Sequence, residues 1–195
     1  MTTMFAIDAA PRPRSRRCAR LVLATLSAAG LASLAWASFV SPLPRFVYNP
    51  SDSVAVGWYR VDPLAHPAGS PPPAVQTGSI VLVPLPADAA ALAAWRSYLP
   101  LHIPLLKPVA AVAPQRVCIR DGIVRIDGVP VAAVLRRDGM GRPLYAWPSC
   151  RHLRLGELFL LSTTNPASFD SRYFGPVRVS AVLGIAHPLW LETRR

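Results

Sequence analysis

The 195-residue sequence predicts a mainly β domain preceded by one membrane-spanning helix. Short runs rich in valine, isoleucine and leucine alternate with turn residues along most of the chain, as they do in β proteins. The 22 prolines favour a loop-rich fold over one built from long helices. One apolar segment, residues 21–40, contains no charged residue. Its length of about twenty residues is what a helix needs to cross a bilayer.

Composition limits the class of protein. A hydrophobic fraction of 52% with only 16% charged residues excludes a disordered chain and leaves room for one domain with its own core. The formal net charge of +11 would ordinarily suggest nucleic acid or an anionic membrane as a partner. Apart from one N-terminal cluster, however, the arginines are scattered, and no motif that reads a nucleic-acid groove accompanies them. We therefore expect no nucleic-acid partner.

The arginine cluster at residues 1–20 predicts the orientation of the apolar segment. Because positive charge stays on the cytoplasmic side, this basic arm is expected in the cytoplasm and residues 41–195 on the exported side. Two alternatives to a retained anchor remain open. Ala35-Trp36-Ala37 resembles a signal-peptide cleavage site, and Ser15-Arg16-Arg17 resembles a twin-arginine signal. The apolar run is long for a signal-peptide core, which favours the anchor.

The exported part is predicted to contain strands, loops and one short helix. A stiff proline-containing connector is expected at residues 41–49, and proline- or glycine-rich loops at 62–77 and 136–143. A short alanine-rich helix is expected at 88–98, with Asp88 as its candidate N-cap. Strands are expected at 54–61, 79–83, 104–112, 116–120, 123–127, 129–135, 155–161 and 177–183. Asp121-Gly122 between two of these strands predicts a tight hairpin.

Ser53 and Lys107 are a candidate nucleophile and general base. Ser53 follows shortly after the apolar segment, in a stretch whose Asn, Pro, Ser and Asp residues would equally suit a plain turn. A serine hydroxyl becomes a nucleophile only when a base takes its proton. Lys107 is the single lysine among 21 basic residues and lies in an apolar run. Unlike arginine, a desolvated lysine can give up its proton. The alternative is a surface lysine whose stem lies on apolar residues while its charged amine stays in water.

Three stretches resemble the conserved boxes of type I signal peptidases. Pro50-Ser51-Asp52-Ser53 resembles their nucleophile box, and Leu106-Lys107-Pro108-Val109-Ala110-Ala111 resembles their lysine box. Ser168-Phe169-Asp170-Ser171-Arg172-Tyr173-Phe174-Gly175-Pro176 resembles their last box. Order, spacing and the final residues are most similar to the TraF peptidases of conjugative transfer, over nearly the whole chain. The resemblance implies a signal peptidase I-like β-fold catalytic domain at residues 41–195, in the periplasm of a Gram-negative bacterium.

The resemblance also implies roles for individual residues. Ser51 matches the position whose hydroxyl helps to bind the oxyanion. Ser168 matches a serine that orients the lysine amine, and Asp170 with Arg172 matches a supporting ion pair. The sequence departs from the family pattern in two places. After the nucleophile, Val54 stands where signal peptidases usually have methionine, and Ala55 where TraF-like proteins often have proline. Ser162-Thr163-Thr164-Asn165 replaces the Gly-Asp that normally precedes the last box.

Other chemistry finds little support. The four histidines, His66, His102, His152 and His187, show no metal spacing and have no acidic neighbour in sequence, so we expect no metal, no cofactor and no Ser-His-Asp triad. No CxxC or HExxH pattern occurs. Cys118 and Cys150 both lie in the exported part, where an oxidising compartment favours a disulfide over two free thiols. Cys18 lies in the basic arm and is expected to be unpaired.

The sequence thus predicts a single-pass serine endopeptidase of the bacterial inner membrane, with a Ser53/Lys107 dyad. The resemblance implies that it matures a conjugative pilin precursor or another exported pre-protein, with or without cyclisation, alongside components of a conjugation or type IV secretion system. Two alternatives stay open. One is a catalytically silent periplasmic assembly factor of such a system, and the other is a housekeeping signal peptidase of broad specificity.

Overall fold

The computed structural model describes residues 16–39, 45–64 and 74–192. These residues divide into two units, of which the first contains the N-terminal helix and the second contains the strands. Three predicted features lie partly outside the described residues. They are most of the basic arm, the first part of the proline-containing connector and the centre of the proline-rich loop.

The N-terminal unit is a single helix, α1, from Arg16 to Phe39. Within it, the 19 residues Cys18–Trp36 are long and apolar enough to cross a membrane. At 1.5 Å per residue they extend about 28 Å, close to the thickness of a bilayer's hydrocarbon core. A signal sequence near an N-terminus has the same length and composition, so the anchor and the cleaved signal both remain open.

The second unit is built from eleven strands within its described residues, which confirms the mainly β fold class. The strands are β1 Phe46–Asn49, β2 Gly57–Pro63, β3 Ile80–Val83, β4 Leu105–Val112, β5 Arg116–Arg120, β6 Ile123–Ile126, β7 Val129–Ala133, β8 Cys150–His152, β9 Glu157–Leu160, β10 Val177–Arg178 and β11 Gly184–Leu191. A seven-stranded sheet has the order β1-β2-β11-β3-β4-β9-β10, and a four-stranded sheet has the order β7-β6-β5-β8. The strand pairs are antiparallel.

Two short helices accompany the strands of this unit. Helix α2 runs from Ala87 to Trp95, and helix α3 from Ser171 to Phe174. The prediction that Asp88 caps α2 is wrong, because Pro86 occupies the N-cap position without a side-chain hydrogen bond. Asp88 lies in the first turn instead, where a carboxylate faces the positive end of the helix dipole.

The hairpin predicted around Asp121-Gly122 is confirmed. β5 and β6 pair antiparallel, and Asp121 and Gly122 both have positive φ, at 53° and 72°. Two consecutive positive φ values are what a type I′ turn requires, and its twist matches the twist of the flanking strands. Alternate residues of these strands, including Val117 and Val124, are fully buried against Phe159 of β9. The small sheet therefore packs on the large one.

Several strand predictions need correction. The strand predicted at 177–183 ends after two residues, because Val182 N–H donates to Val179 O and turns the chain into a 3₁₀ helix. β2 begins at Gly57, three residues later than predicted, and part of the predicted connector is β1. The predictions also missed β8 and β11.

A disulfide joins Cys118 of β5 to Cys150 of β8, two residues that lie directly opposite each other in the small sheet. The bridge closes a loop with a sequence separation of 32 residues. In the chain-entropy account a closed loop of this size stabilises the fold by roughly 3 to 4 kcal/mol. Cys18 has a free, exposed thiol.

Candidate active site

Ser53 lies in the loop that joins β1 to β2. The strand register pairs Asn49 with Gly57 at the base of this loop. The side chain of Asn49 is buried, and its Nδ2 group donates hydrogen bonds to three loop carbonyls, those of Ser51, Val54 and Ala55, at 2.6, 3.1 and 3.1 Å. One amide therefore holds the loop in shape, and Ser53, only 8% exposed, points into the domain.

Ser51 lies beside Ser53 but is tied to Asn49. Its hydroxyl donates to Asn49 Oδ1 at 2.9 Å, and its backbone N–H donates to the same oxygen at 3.3 Å. Because a hydroxyl carries a single proton, the Ser51 side chain would have to turn away from Asn49 before it could donate to anything else. The backbone N–H bond could persist through such a turn.

Lys107 lies in the middle of β4, opposite Val81 of β3, and only 2% of it is exposed. Removal from water lowers the pKa of its amine from 10.5 to about 8, because burial disfavours the charged form. The nearby carboxylate of Asp170 works against this shift, and the guanidinium of Arg172 adds to it. No ion pair to Lys107 occurs among the described side chains.

Ser168 connects the lysine with the candidate nucleophile. Lys107 Nζ donates a short hydrogen bond to Ser168 Oγ, and Ser168 Oγ lies 3.4 Å from Ser53 Oγ. The three polar groups are buried together, and the described contacts do not include a direct hydrogen bond between Ser53 and Lys107. The Ser168 hydroxyl thus lies between the Lys107 amine and the Ser53 hydroxyl.

Asp170 and Arg172 form a fully buried ion pair next to Ser168. Two parallel bonds join them, from Arg172 Nε to Asp170 Oδ1 at 2.8 Å and from Nη2 to Oδ2 at 2.9 Å. Asp170 Oδ1 also accepts the N–H of Arg172 and so caps α3. The arginine donates further to backbone carbonyls of four residues, Ala133, Asn165, Pro166 and Ser168. This pair therefore fixes the segment that carries Ser168.

Gly175 ends this segment for a steric reason. It has φ +77°, a value that residues with a side chain rarely adopt. A Cβ atom there would lie 2.7 Å from Cδ1 of the Trp147 indole. The indole in turn packs on Phe159 at a centroid distance of 5.9 Å. A side chain at position 175 would therefore clash with the Trp147 indole and displace the end of the last box from it.

A cleft of about 530 Å³ opens beside these groups. Ser51, Ser53, Lys107 and Ser168 line it together. Most of the remaining lining is apolar and comes from β1, the segment after α2, the start of β4, the loop between β7 and β8 and the last box. It includes Val47, Leu99, Ile103, Leu105, Leu144 and Phe169. The cleft can accommodate an extended apolar peptide segment next to the two hydroxyls and the amine.

Three polar residues of the site had no role in the sequence-based interpretation. Asn49 shapes the Ser53 loop, as described above. Thr164 Oγ1 donates to the carbonyl of Asp52 at 2.9 Å and links that loop to the segment before the last box. Ser162 Oγ accepts the N–H of Asn165 at 3.2 Å. Ser162 and Thr164 belong to the stretch that replaces the usual Gly-Asp, so this substitution introduces hydroxyl contacts of its own.

The histidines contribute nothing to the cluster around Ser53. His66 lies outside the described residues, and His102, His152 and His187 do not line the cleft. Within the described part of the chain, no group of three His, Cys, Asp or Glu side chains is arranged to hold a metal ion. The polar side chains that line the cleft are serine and tyrosine hydroxyls, the Lys107 amine, two asparagine amides and the carboxylate of Asp138.

The model of a peptidase family, described as signal peptidase, peptidase S26, matches residues 18–190. The chain belongs to the signal peptidase S26 family. That match covers the apolar helix, the Ser53 loop, β4 and the last box. Together, family and helix indicate a membrane-anchored or exported protein.

Relatives of this S26 chain include proteins named for conjugation. Conjugal transfer protein TraF of Agrobacterium fabrum is 37% identical over 180 residues, which cover 88% of this chain and 96% of that protein. A probable conjugal transfer protein TraF of Sinorhizobium fredii is 31% identical over 175 residues, 85% of each chain. A plasmid transfer protein TraF of Escherichia coli is 36% identical over 88 residues, 44% of this chain and 50% of that protein.

Among solved structures, a signal peptidase I from Enterococcus faecalis is 22% identical and covers 56% of this chain and 94% of its own. The TM-score is 0.35.

Proposed function

We propose that this chain is a membrane-anchored serine endopeptidase in which Ser53 is the nucleophile and Lys107 the general base. The observation that carries the proposal is the buried Lys107 amine, whose pKa is lowered to about 8 and which reaches Ser53 through one hydroxyl. A buried amine without a carboxylate partner destabilises the fold, and such groups cluster at catalytic sites. Through its contact with Ser168, this amine lies near the Ser53 hydroxyl, whose proton it would accept.

In this mechanism the neutral Lys107 amine takes the proton of Ser53 as Oγ attacks the scissile carbonyl, and then returns it to the leaving amine. Because the Ser168 hydroxyl contacts both groups, it orients the amine toward the nucleophile. The N–H of Ser53 and the hydroxyl of Ser51 stabilise the oxyanion. Ser51 would release Asn49 Oδ1 in that step, while its N–H keeps the loop attached. Water, or an amine in a cyclising enzyme, then resolves the acyl-enzyme.

The proposed substrate is an exported pre-protein, specifically a conjugative pilin precursor. Two observations support it. The relatives that match most of the chain carry names from conjugal transfer. The cleft beside Ser53 is mostly apolar and about 530 Å³ in volume, which suits a short extended stretch of small or apolar residues. Components of a conjugation or type IV secretion system are then the expected neighbours of the enzyme.

Incubating the purified full chain with candidate pilin precursors tests this function. We expect a product of defined mass with the parent and no product with Ser53→Ala, both measured by mass spectrometry. Linear and cyclised products differ by the mass of one water. Binding of the precursor without cleavage by the parent would contradict the proposal and favour the silent assembly factor. Equal cleavage of unrelated secretory precursors would favour the housekeeping peptidase.

The proposed topology places residues 1–20 in the cytoplasm and the strands in the periplasm of the inner membrane. A periplasm-dependent reporter fused after Arg195 should therefore be active, because the arginines before Leu21 hold the N-terminal end inside. The same reporter fused after Arg20 serves as the cytoplasmic control and should be silent. Activity of a cytoplasm-dependent reporter fused after Arg195 would overturn this orientation.

The pH dependence of cleavage should follow Lys107. Only the neutral amine accepts a proton, and burial lowers its pKa to about 8. We therefore expect kcat/KM to rise about tenfold per pH unit below that value and to level off above it. Initial rates between about pH 6 and pH 10 measure this profile, with circular dichroism as the control for folding. A folded enzyme whose kcat/KM stays constant from about pH 6 to pH 9 would contradict the role of Lys107.

A further inference from the structure

A second cleft, of about 230 Å³, lies over the disulfide on the small sheet. Cys118 and Cys150 both line it and are half-buried, so the sulfur atoms face a concavity that opens to solvent. Three arginines line the same cleft, Arg116 and Arg120 on β5 and Arg125 on β6. The strand register places Arg125 directly opposite Cys118. The cleft is therefore a basic pocket built around a disulfide.

The three guanidinium groups form no ion pair with the described carboxylates. Arg125 donates only to the carbonyl of Gly128, at 3.4 Å. The neighbouring Asp127 accepts from the N–H of Arg116 and from Gln115. Three arginines and the one lining carboxylate, that of Asp121, give the cleft a formal charge of +2. This excess of positive charge attracts an anion from solution.

Arg116 makes the two sulfur atoms unequal. Its Nη2 group donates to Cys150 Sγ at 3.5 Å, and Cys118 receives no corresponding hydrogen bond from the described residues. A guanidinium beside a sulfur stabilises the thiolate form of that sulfur. In thiol–disulfide exchange the sulfur that leaves more easily is the one with the more stable thiolate. Cys150 is therefore the better leaving group, and Cys118 is the sulfur open to attack.

We propose that this cleft is a thiol–disulfide exchange site for anionic thiols, with attack on Cys118 and departure of Cys150. A thiolate RS⁻, whose proton has gone to solvent, forms a bond to Cys118 Sγ as the Cys118–Cys150 bond breaks. The electron pair of that bond stays on Cys150 as a thiolate beside Arg116. A second RS⁻ attacks the mixed disulfide and releases RSSR and the Cys118 thiolate. Two thiols are thus oxidised, and one disulfide is reduced by two electrons.

The test uses the full chain in a non-ionic detergent, after the exposed Cys18 has been alkylated. Three probes of similar size carry different charge, namely 3-mercaptopropionate, 2-mercaptoethanol and cysteamine. Rates are compared per thiolate at low ionic strength. We expect the anionic probe to react about three- to fivefold faster than the neutral one, and the cationic probe to react more slowly. Each of the two excess positive charges of the cleft is expected to change the rate of a charged probe about twofold.

The variant Arg120→Gln/Arg125→Gln should lower the ratio of the anionic to the neutral rate by about fourfold. Arg178→Gln, at the exposed position of β10 in the other sheet, is the matched control and should leave the ratio unchanged. Circular dichroism confirms that each variant is folded. If the folded double variant keeps the ratio of the parent, the arginines do not select the thiol and the proposal fails.

The direction of attack is tested by trapping the mixed disulfide with acid and mapping the adduct by mass spectrometry. We expect 3-mercaptopropionate on Cys118 and a free thiol on Cys150, at roughly a fivefold excess or more over the reverse arrangement. Arg116→Gln should bring the two adducts close to equal amounts. A predominance of adducts on Cys150 in the parent would overturn the assignment.

Discussion

Lys107→Arg should abolish precursor cleavage. A guanidinium keeps its proton at every accessible pH, so it can attract a neighbouring hydroxyl but cannot accept the proton of Ser53. We expect a loss of roughly 10⁴-fold or more in kcat, and an equal loss for Ser53→Ala. Because the two residues act as one unit, the double variant should be scarcely worse than either single variant. Single-turnover cleavage of a pilin precursor, followed by mass spectrometry, measures all three.

A buried arginine could disturb packing as well as chemistry, so Lys107→Met provides the control. Methionine has nearly the same length, carries no charge and adapts to apolar surroundings. Burial of the amine costs the parent about 3 kcal/mol of stability at pH 7, since the lysine pKa is about 8 in the fold and 10.5 for a free side chain. This penalty is fully present below pH 8 and disappears as the pH rises toward 10.5.

Lys107→Met should therefore be inactive and at least as stable as the parent at neutral pH. Thermal melts followed by circular dichroism measure this. If Lys107→Arg or Lys107→Met is folded and still cleaves within a few-fold of the parent, the Ser-Lys mechanism is wrong. If both are inactive but unfolded, the lysine is structural and the mechanism loses its main support.

Lys107 could be singled out from sequence because chemistry alone distinguishes it. One lysine among twenty arginines, placed in an apolar run, predicts a buried amine, and the structure gives Lys107 2% exposure in β4. The hairpin at Asp121-Gly122 was equally predictable, because positive φ at two successive positions selects few residue types. In both cases the local sequence contains the whole physical reason.

The rest depended on contacts between distant parts of the chain. In the sequence Asn49 resembles any turn residue. Its side-chain amide donates to three loop carbonyls only because the pairing of β1 with β2 shapes the loop around it. Thr164 meets the carbonyl of Asp52 across 112 positions of sequence. β11 was missed because Pro188 breaks its pattern at a bulge.

Asp170→Asn should strongly destabilise the domain at the last box. Asp170→Asn preserves the shape of the side chain and removes its charge, which leaves Arg172 positive and unpaired with both side chains 0% exposed. Breaking a buried pair by removing one partner destabilises a protein by about 3 to 5 kcal/mol. For a domain of this size we expect the melting temperature to fall by roughly 6 to 20 °C.

Asp62→Asn is the matched control for this prediction. Asp62 pairs with Arg60 on β2, where the two side chains are 43% and 53% exposed, so its loss should cost less than about 1 kcal/mol. Thermal unfolding in detergent, followed by circular dichroism, compares the two variants at one pH and salt concentration. The segment that carries Ser168 is held by Arg172 through three carbonyls, those of Asn165, Pro166 and Ser168, so Asp170→Asn should also lower cleavage at temperatures where it stays folded. If Asp170→Asn melts within about 2 °C of Asp62→Asn, the buried pair does not hold the last box in place.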